Sequence, residues 1–140
     1  MSDEIEDAYA AATGADQPRD EVAELAHRLL DLARAGDTAA LVPYLDAGAP
    51  VDLADEAGNT LLMLAAYHGH APLVGELADR GADVDRLNGR GQSPLAGAVF
   101  KGERSVVTTL LAHRADPDAG TPSARATALM FERTDLLPPG

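Results

Sequence analysis

Residues 60–85 read TLLMLAAYHGHAPLVGELADRGADVD, and the pattern in this stretch decides the fold. Thr60 is a favourable N-cap for a first helix, and Gly69 stands where that helix would end in a left-handed residue. Pro72 fits the first turn of a second helix, which Gly81 closes. The apolar positions of the two helices, at helical spacing, are Leu62, Ala65 and Ala66 and then Leu73, Val74 and Leu77.

The same pattern recurs along the chain with a period of 33 residues. One helix pair cannot bury its own apolar face, so copies of it must stack on one another. The period therefore predicts an all-α solenoid of helix-turn-helix units. The residues in register are Gly36, Gly69 and Gly102; Ala49, Ala82 and Ala115; Asp52, Asp85 and Asp118; and Leu29, Leu62 and Leu95.

Three motifs within this period resemble those of the ankyrin-repeat family. Residues 91–95 (GQSPL) are similar to G-x-T-P-L, residues 65–70 (AAYHGH) to A-A-x-x-G-H, and residues 81–85 (GADVD) to G-A-D-V-N. The resemblance covers about residues 21–135 and is to the small bacterial type of ankyrin-repeat protein. It implies an ankyrin solenoid in which short loop or hairpin fingers join stacked helix pairs.

The period divides the chain into an acidic arm and four units. We predict that the arm is disordered and solubilising, with docking to a partner as the alternative. In the closing unit the register slips, and we expect its helix to start near Thr127. The units are residues 1–20, the arm; 21–52, an N-terminal capping repeat with helices at 21–34 and 38–47; 53–85 and 86–118, full repeats; and 119–140, a partial C-terminal capping repeat and tail.

Composition excludes several classes of function. The 140 residues carry a formal charge of −12 and no basic stripe, which disfavours nucleic acid and anionic lipid as partners. The chain has no cysteine, so it has neither disulfides nor thiolate metal sites, as expected of a cytoplasmic protein. We find no secretory signal and no apolar stretch long enough to cross a membrane. The polar cap positions Glu24, His27, Arg28 and Asp31 favour a monomer.

Candidate binding residues follow from the repeat and from the family resemblance. Arg34, Tyr67 and Phe100 are each one period apart and fall outside the buried stripe, so they should form a ladder on one face. Tyr and Arg are enriched in interface hot spots; alternatively, the two rings only complete local packing. The resemblance implies a concave binding face formed by Glu56, Asn59, Arg90 and Gln92 in the fingers and by Arg34, Tyr67, His68, Phe100 and Lys101 at the ends of the first helices.

The remaining polar residues favour structural roles. His68 and His70 flank a glycine and could suggest a metal pair, but His70 is the usual turn histidine of the motif and a third ligand is absent nearby. We expect Asp52 and its repeat equivalents to bond to loop backbone. Met63 and Met130 are expected to pack in the core or at its edge. No catalytic, metal or cofactor site is predicted.

These observations leave two functional hypotheses of different classes. The first is a non-enzymatic interaction module, an adaptor or inhibitor that binds one partner protein through its concave surface. The alternative is an accessory protein that handles a cofactor such as haem for a partner enzyme, a role discussed for small bacterial ankyrin-repeat proteins. The sequence contains histidines and methionines as possible ligands but no haem motif.

Overall fold

The computed structural model describes residues 19–138 of the chain. Most of the predicted arm lies outside these residues, but Arg19 and Asp20 already belong to the first helix. Within residues 19–138 the secondary structure is helical apart from isolated bridges, which confirms the all-α prediction. The helices are α1 (Arg19–Ala35), α2 (Thr38–Asp46), α3 (Leu61–Tyr67), α4 (Ala71–Asp79), α5 (Pro94–Lys101), α6 (Arg104–Ala112), α7 (Ala124–Met130) and a short 3-10 helix (Thr134–Leu136).

The helices form two stacked layers. A front layer contains α1, α3, α5 and α7 in sequence, and a back layer contains α2, α4 and α6. The core lies between the layers and is built from Leu, Val and Ala, with fully buried leucines at repeat-equivalent positions 29, 62 and 95. The four polar positions named for α1 are all exposed. Among the described residues, no helix is both long and apolar enough to cross a bilayer.

Hydroxyl side chains fix the start of each later front helix. Thr60 Oγ1 accepts a hydrogen bond of 3.1 Å from the Met63 amide, and Ser93 Oγ accepts one of 3.0 Å from the Ala96 amide. Ser123 does the same for α7, with its Oγ 3.1 Å from the Ala126 nitrogen. These N-caps satisfy amides that a helix leaves without partners in its first turn.

The closing unit differs from the sequence prediction. We expected its helix to start near Thr127, but α7 starts at Ala124, and Thr127 is buried in the middle of it. The N-cap Ser123 follows Ser93 by 30 residues instead of 33, because the finger after Asp118 is three residues shorter than the one after Asp85. Thr127 therefore packs inward, and its hydroxyl donates to the Ser123 carbonyl at 2.8 Å.

Side chains at the turn between the two helices of a unit pack against the preceding unit. The ring of His70 lies against Gly36, where a β-carbon would come within 2.4 Å of it. The Nε2 atom of His70 lies 2.8 Å from the carbonyl oxygen of Arg34, so the expected turn role of this histidine is confirmed. Glu103 occupies the same place against Gly69 in the next unit. Glycine is required there because its neighbour leaves no room for a side chain.

Candidate functional site

The concave side of the solenoid contains a groove between the front helices and the fingers. Its volume is about 640 Å³. Met63, Leu64 and Ala96 are nearly fully buried and form its floor. The walls are the fingers on one side and the exposed ends of the front helices on the other. The wall residues are Ala57, Asn59, Asn88, Arg90, Gln92 and Pro122 on the finger side and Tyr67, Phe100, Met130 and Phe131 on the helix side; Gly97 and the buried Thr127 also line the groove, from the middle of their helices.

The groove brings together five of the nine residues predicted for a binding face. They are Asn59, Tyr67, Arg90, Gln92 and Phe100. Three of the five come from fingers and two from front helices, so finger and helix-end positions lie together in this groove. The rings of Tyr67 and Phe100 stand one unit apart along the same groove and are each about two-fifths exposed, at 40% and 45%.

The other four predicted residues lie beside the groove. The ammonium of Lys101 is 4.9 Å from the centre of the Tyr67 ring, a cation–π contact. The ring of His68 meets Tyr67 edge-on with 5.5 Å between centroids. Arg34, the first member of the ladder, forms ion pairs with Asp31 and Asp55. Glu56 is exposed in the first finger.

Two further groove residues, Met130 and Phe131, were missed as members of the ladder. Met130 had been assigned to packing, but it is 59% exposed. In the last unit the Arg133 amide bonds to the Ala128 carbonyl, as the His70 amide does to Ala65. Met130 lies three residues before Arg133, as Tyr67 lies three residues before His70, so the two positions are equivalent. The ladder of Arg34, Tyr67 and Phe100 therefore continues to Met130 at the end of α7. Phe131 stands next to it, and its ring meets that of Phe100 edge-on at 5.1 Å.

The fingers that form one wall are held by side-chain amides and carboxylates. Asn88 Oδ1 accepts hydrogen bonds from the amides of Arg90 and Gln92, at 2.9 and 3.0 Å. Its Nδ2 donates to Asn59 Oδ1 at 2.9 Å and to Gln92 Oε1 at 2.8 Å, which links two successive fingers. One period earlier, Asp55 accepts from the amides of residues 57 and 59 in the same way. The wall is therefore pre-organised.

Comparison with known proteins identifies the family. A family model of ankyrin repeats, in three copies, matches residues 29–121, about two-thirds of the chain. The chain belongs to the ankyrin-repeat family. Ankyrin repeats are generally protein–protein interaction modules, and solenoids of this kind bind through an extended concave surface.

Ankyrin relatives occur in bacteria and in animals. An ankyrin repeat protein of Pseudomonas aeruginosa is 46% identical over 63 residues, which cover 42% of this chain and 37% of the relative. The E3 ubiquitin-protein ligase hecd-1 of Caenorhabditis elegans is 35% identical over 112 residues, 79% of this chain but 4% of the ligase. Ankyrin repeat and SAM domain-containing protein 6 of mouse is 50% identical over 54 residues, covering 39% of this chain and 6% of the mouse protein. The match thus covers little more than a third of the bacterial relative and less than a tenth of the two animal proteins.

Two of the three aspartates that follow the ankyrin second helices bond to loop backbone, as expected. Asp52 Oδ1 accepts a hydrogen bond from the Asp83 amide at 3.1 Å, and Asp85 Oδ1 accepts one from the Asp116 amide at 2.8 Å. Asp118, in the last full unit, instead forms an ion pair with Arg125 at 2.9 Å. These carboxylates stabilise the junctions between ankyrin units, because each one crosses from one unit to the next.

The histidines of the ankyrin units are engaged with their surroundings. Partial desolvation, followed by the charges of His70 and Lys101, lowers the pKa of His68. The hydrogen bond to Asp79, followed by that to the Thr109 carbonyl, raises the pKa of His113. Within the part of the chain that the structure describes, no three potential ligands among His, Asp and Glu come together at one point.

Some cations of the ankyrin solenoid are paired with carboxylates and others are not. On the back, Arg80 is paired with Asp46 and Glu76, and His113 lies 3.0 Å from Asp79. At the groove, neither Arg90 nor Lys101 has a carboxylate oxygen within 4.0 Å among the described residues. The groove therefore combines exposed apolar rings with positive charge that the rest of the solenoid does not neutralise.

Proposed function

We propose that this ankyrin protein is a non-enzymatic adaptor or inhibitor that holds one partner protein in its concave groove. The observation that supports the proposal is the row of exposed apolar side chains along the groove. Tyr67, Phe100, Met130 and Phe131 come from three successive front helices. Contiguous exposed apolar surface of this kind is uncommon in monomeric proteins unless it binds something.

The residue types in the row suit an interface. Large aromatic side chains lose little conformational entropy on binding and dominate interface hot spots. Around them the rim is polar, with Asn59, Gln92 and Arg90 available for hydrogen bonds. An apolar centre surrounded by a polar rim is the usual anatomy of a protein–protein interface.

The groove is also rigid enough to bind without large rearrangement. Its helices are fixed by the turn contacts and its fingers by the Asn88 hydrogen bonds. Little ordering entropy is then lost when a partner binds, so more of the contact energy contributes to affinity. The proposal places this function in the cytoplasm, with the protein monomeric on its own and neither nucleic acid nor membrane as a partner, as the acidic, cysteine-free composition favours.

The described histidines and methionines do not favour the alternative, a protein that handles a cofactor such as haem. His70 and His113 each have hydrogen-bond partners on their rings, and Met63 is nearly fully buried. No described arrangement of these residues favours a haem site over the protein-binding groove, so we propose a single function.

A capture experiment with matched variants tests the proposal. Wild-type protein, the Tyr67→Ala/Phe100→Ala double variant and a Leu129→Ala control are immobilised and exposed to host lysate, and retained proteins are identified by mass spectrometry. Leu129 is suitable as a control because it is 67% exposed, apolar and outside the groove. We expect a protein retained by wild type and control but not by the double variant. Equal retention by all three would place the binding site elsewhere.

A further inference from the structure

The groove combines exposed rings with two cations that have no carboxylate partner among the described residues. The protein has a formal charge of −12, yet Arg90 and Lys101 stand at the groove without an acidic partner among the described residues. Elsewhere on the surface Arg80 and Arg104 pair with carboxylates, and the exposed Arg28, Arg86 and Arg114 do not, but none of these lines the groove. An acidic segment is repelled by most of this protein's surface, and the groove is where it would find unneutralised positive charge next to apolar rings.

We propose that the occupant of the groove in the free protein is the acidic segment of the same chain, residues 1–18. This segment contains five carboxylates and no basic side chain, a side-chain charge of −5. It also contains two large apolar residues, Ile5 and Tyr9, four positions apart. Acidic groups combined with apolar anchors complement both properties of the groove, its cations and its exposed rings.

The first described helix starts on the side of the solenoid from which the groove can be reached. The front helices end in register, but α1 starts at Arg19, about eight residues before the position equivalent to the N-cap Thr60. The N-terminal end of α1 therefore extends about 12 Å past the other front helices, in the direction of the fingers. Eighteen extended residues span up to about 60 Å. The groove crosses three front helices spaced about 10 Å apart, well within that length.

Tethering makes even a weak contact effective. A segment joined to its binding site by a short flexible connection experiences an effective concentration in the millimolar range. A contact with a dissociation constant of about 0.1 mM would therefore keep the groove largely occupied, and one of about 1 mM would keep it about half occupied. Competition with a partner follows from this contact and rests on the proposed function. Residues 1–18 would compete with the partner for the groove, and only a partner that binds the groove more tightly would displace them.

Paramagnetic broadening in the full-length chain tests the contact directly. The chain has no cysteine, so Ser2→Cys provides a single thiol for a nitroxide label. We expect the amide signals of Gln92, Phe100 and Lys101 to be broadened, while that of Thr108, exposed on the back helix α6, keeps its intensity. Raising the salt to 1 M, where the Debye length is about 3 Å, should weaken the broadening.

Two charge reversals provide matched variants. Lys101→Glu should abolish the selective broadening, whereas Arg114→Glu, an exposed site just after α6, should leave it unchanged. Broadening that is absent, equal on both layers, or insensitive to Lys101→Glu would overturn the proposal. So would broadening of an isotope-labelled chain by a separate spin-labelled chain, since the occupant would then be a second copy. The experiment contains no partner, so its failure would leave the partner-binding function to be decided by the capture experiment.

Discussion

The ring of Phe131 meets the ring of Phe100 edge-on, with 5.1 Å between centroids, although the two residues lie 31 positions apart in the chain. This pair joins the closing unit to the last full ankyrin unit on the concave side. Because Phe131 is 47% exposed, the contact leaves much of its ring free for a partner. The apolar row therefore runs through the closing unit and does not stop at Phe100.

Truncation of Phe131 should weaken partner binding. We expect Phe131→Ala to reduce affinity for the captured partner about tenfold or more, the effect of losing a hot-spot aromatic. Stability should change little, because the ring is half exposed. Calorimetry with the purified partner would measure the affinity, and Leu129→Ala, two positions earlier and outside the groove, serves as the control. A loss as large in Leu129→Ala as in Phe131→Ala would contradict this assignment.

The second finger depends on Asn88. In Asn88→Ala the amides of Arg90 and Gln92 lose their acceptor, so we expect their hydrogen exchange to become faster and the protein to lose about 1–2 kcal/mol of stability. Asn88→Asp keeps the acceptor, as natural Asp55 does one unit earlier, and should retain the protection of both amides. Unchanged exchange in Asn88→Ala, followed by NMR, would show that the side chain does not hold the finger.

The two glycines Gly36 and Gly48 should respond differently to alanine. Both have positive φ, 71° and 110°, so each substitution costs about 1–2 kcal/mol of backbone strain. At Gly36 the new β-carbon also meets the His70 ring, whereas at Gly48 nothing lies within 4 Å. The free energy of unfolding of Gly36→Ala, measured by urea denaturation, should therefore be about 1 kcal/mol lower than that of Gly48→Ala. The reason is that Gly36→Ala also loses the hydrogen bond of His70.

A double-mutant cycle separates the clash between the new β-carbon and the His70 ring from the backbone strain at position 36. In a His70→Ala background the extra penalty of Gly36→Ala should disappear and the remaining loss should approach that of Gly48→Ala. If the penalty stays the same in both backgrounds, the His70 ring is not the cause of it.

The pKa of His113 should lie above the usual value for histidine and the pKa of His68 should lie below it. The hydrogen bond to Asp79 raises the pKa of His113, so its stabilisation is complete below about pH 6.5 and is lost as pH rises through the folded-state pKa. Desolvation lowers the pKa of His68, so its contribution is complete above about pH 6.5 and is lost as pH falls through the lower folded-state pKa. Both effects on stability should be small, since His68 is exposed and the His113 side chain keeps 30% of its surface in contact with solvent.

Ring-proton NMR titration measures the two pKa values separately. Asp79→Asn should move the midpoint of His113 down towards about 6.5 without changing that of His68. Midpoints in the reverse order, or an Asp79→Asn variant in which His113 is unaffected, would contradict the role of this ion pair.

The solenoid could be predicted from the sequence because its determinants are local and periodic. Thr60 and Ser93 cap helices, and the glycines at 36, 69 and 102 mark turns that a neighbouring side chain fills. Finger and helix-end positions at the 33-residue period then predicted five of the groove residues. These positions could be assigned because the first full units are equal in length.

The closing unit could not be placed in the same way. Its finger is three residues shorter, and Thr127 imitates the start of the motif while Ser123 is the true N-cap. A turn hydrogen bond, from the Arg133 amide to the Ala128 carbonyl, fixes the register, and no residue type marks it in the sequence. For this reason Met130 and Phe131 emerged as groove residues only from the structure.

Site-specific photo-crosslinking tests the central claim most directly. The photoreactive residue p-benzoylphenylalanine is introduced at Phe100, in the groove, and separately at Thr108, exposed on α6 in the back layer, and each protein is irradiated in host cells. If the concave groove holds the partner, position 100 should yield one dominant protein adduct that position 108 does not. An adduct of equal yield from position 108, or none from position 100, would contradict the claim.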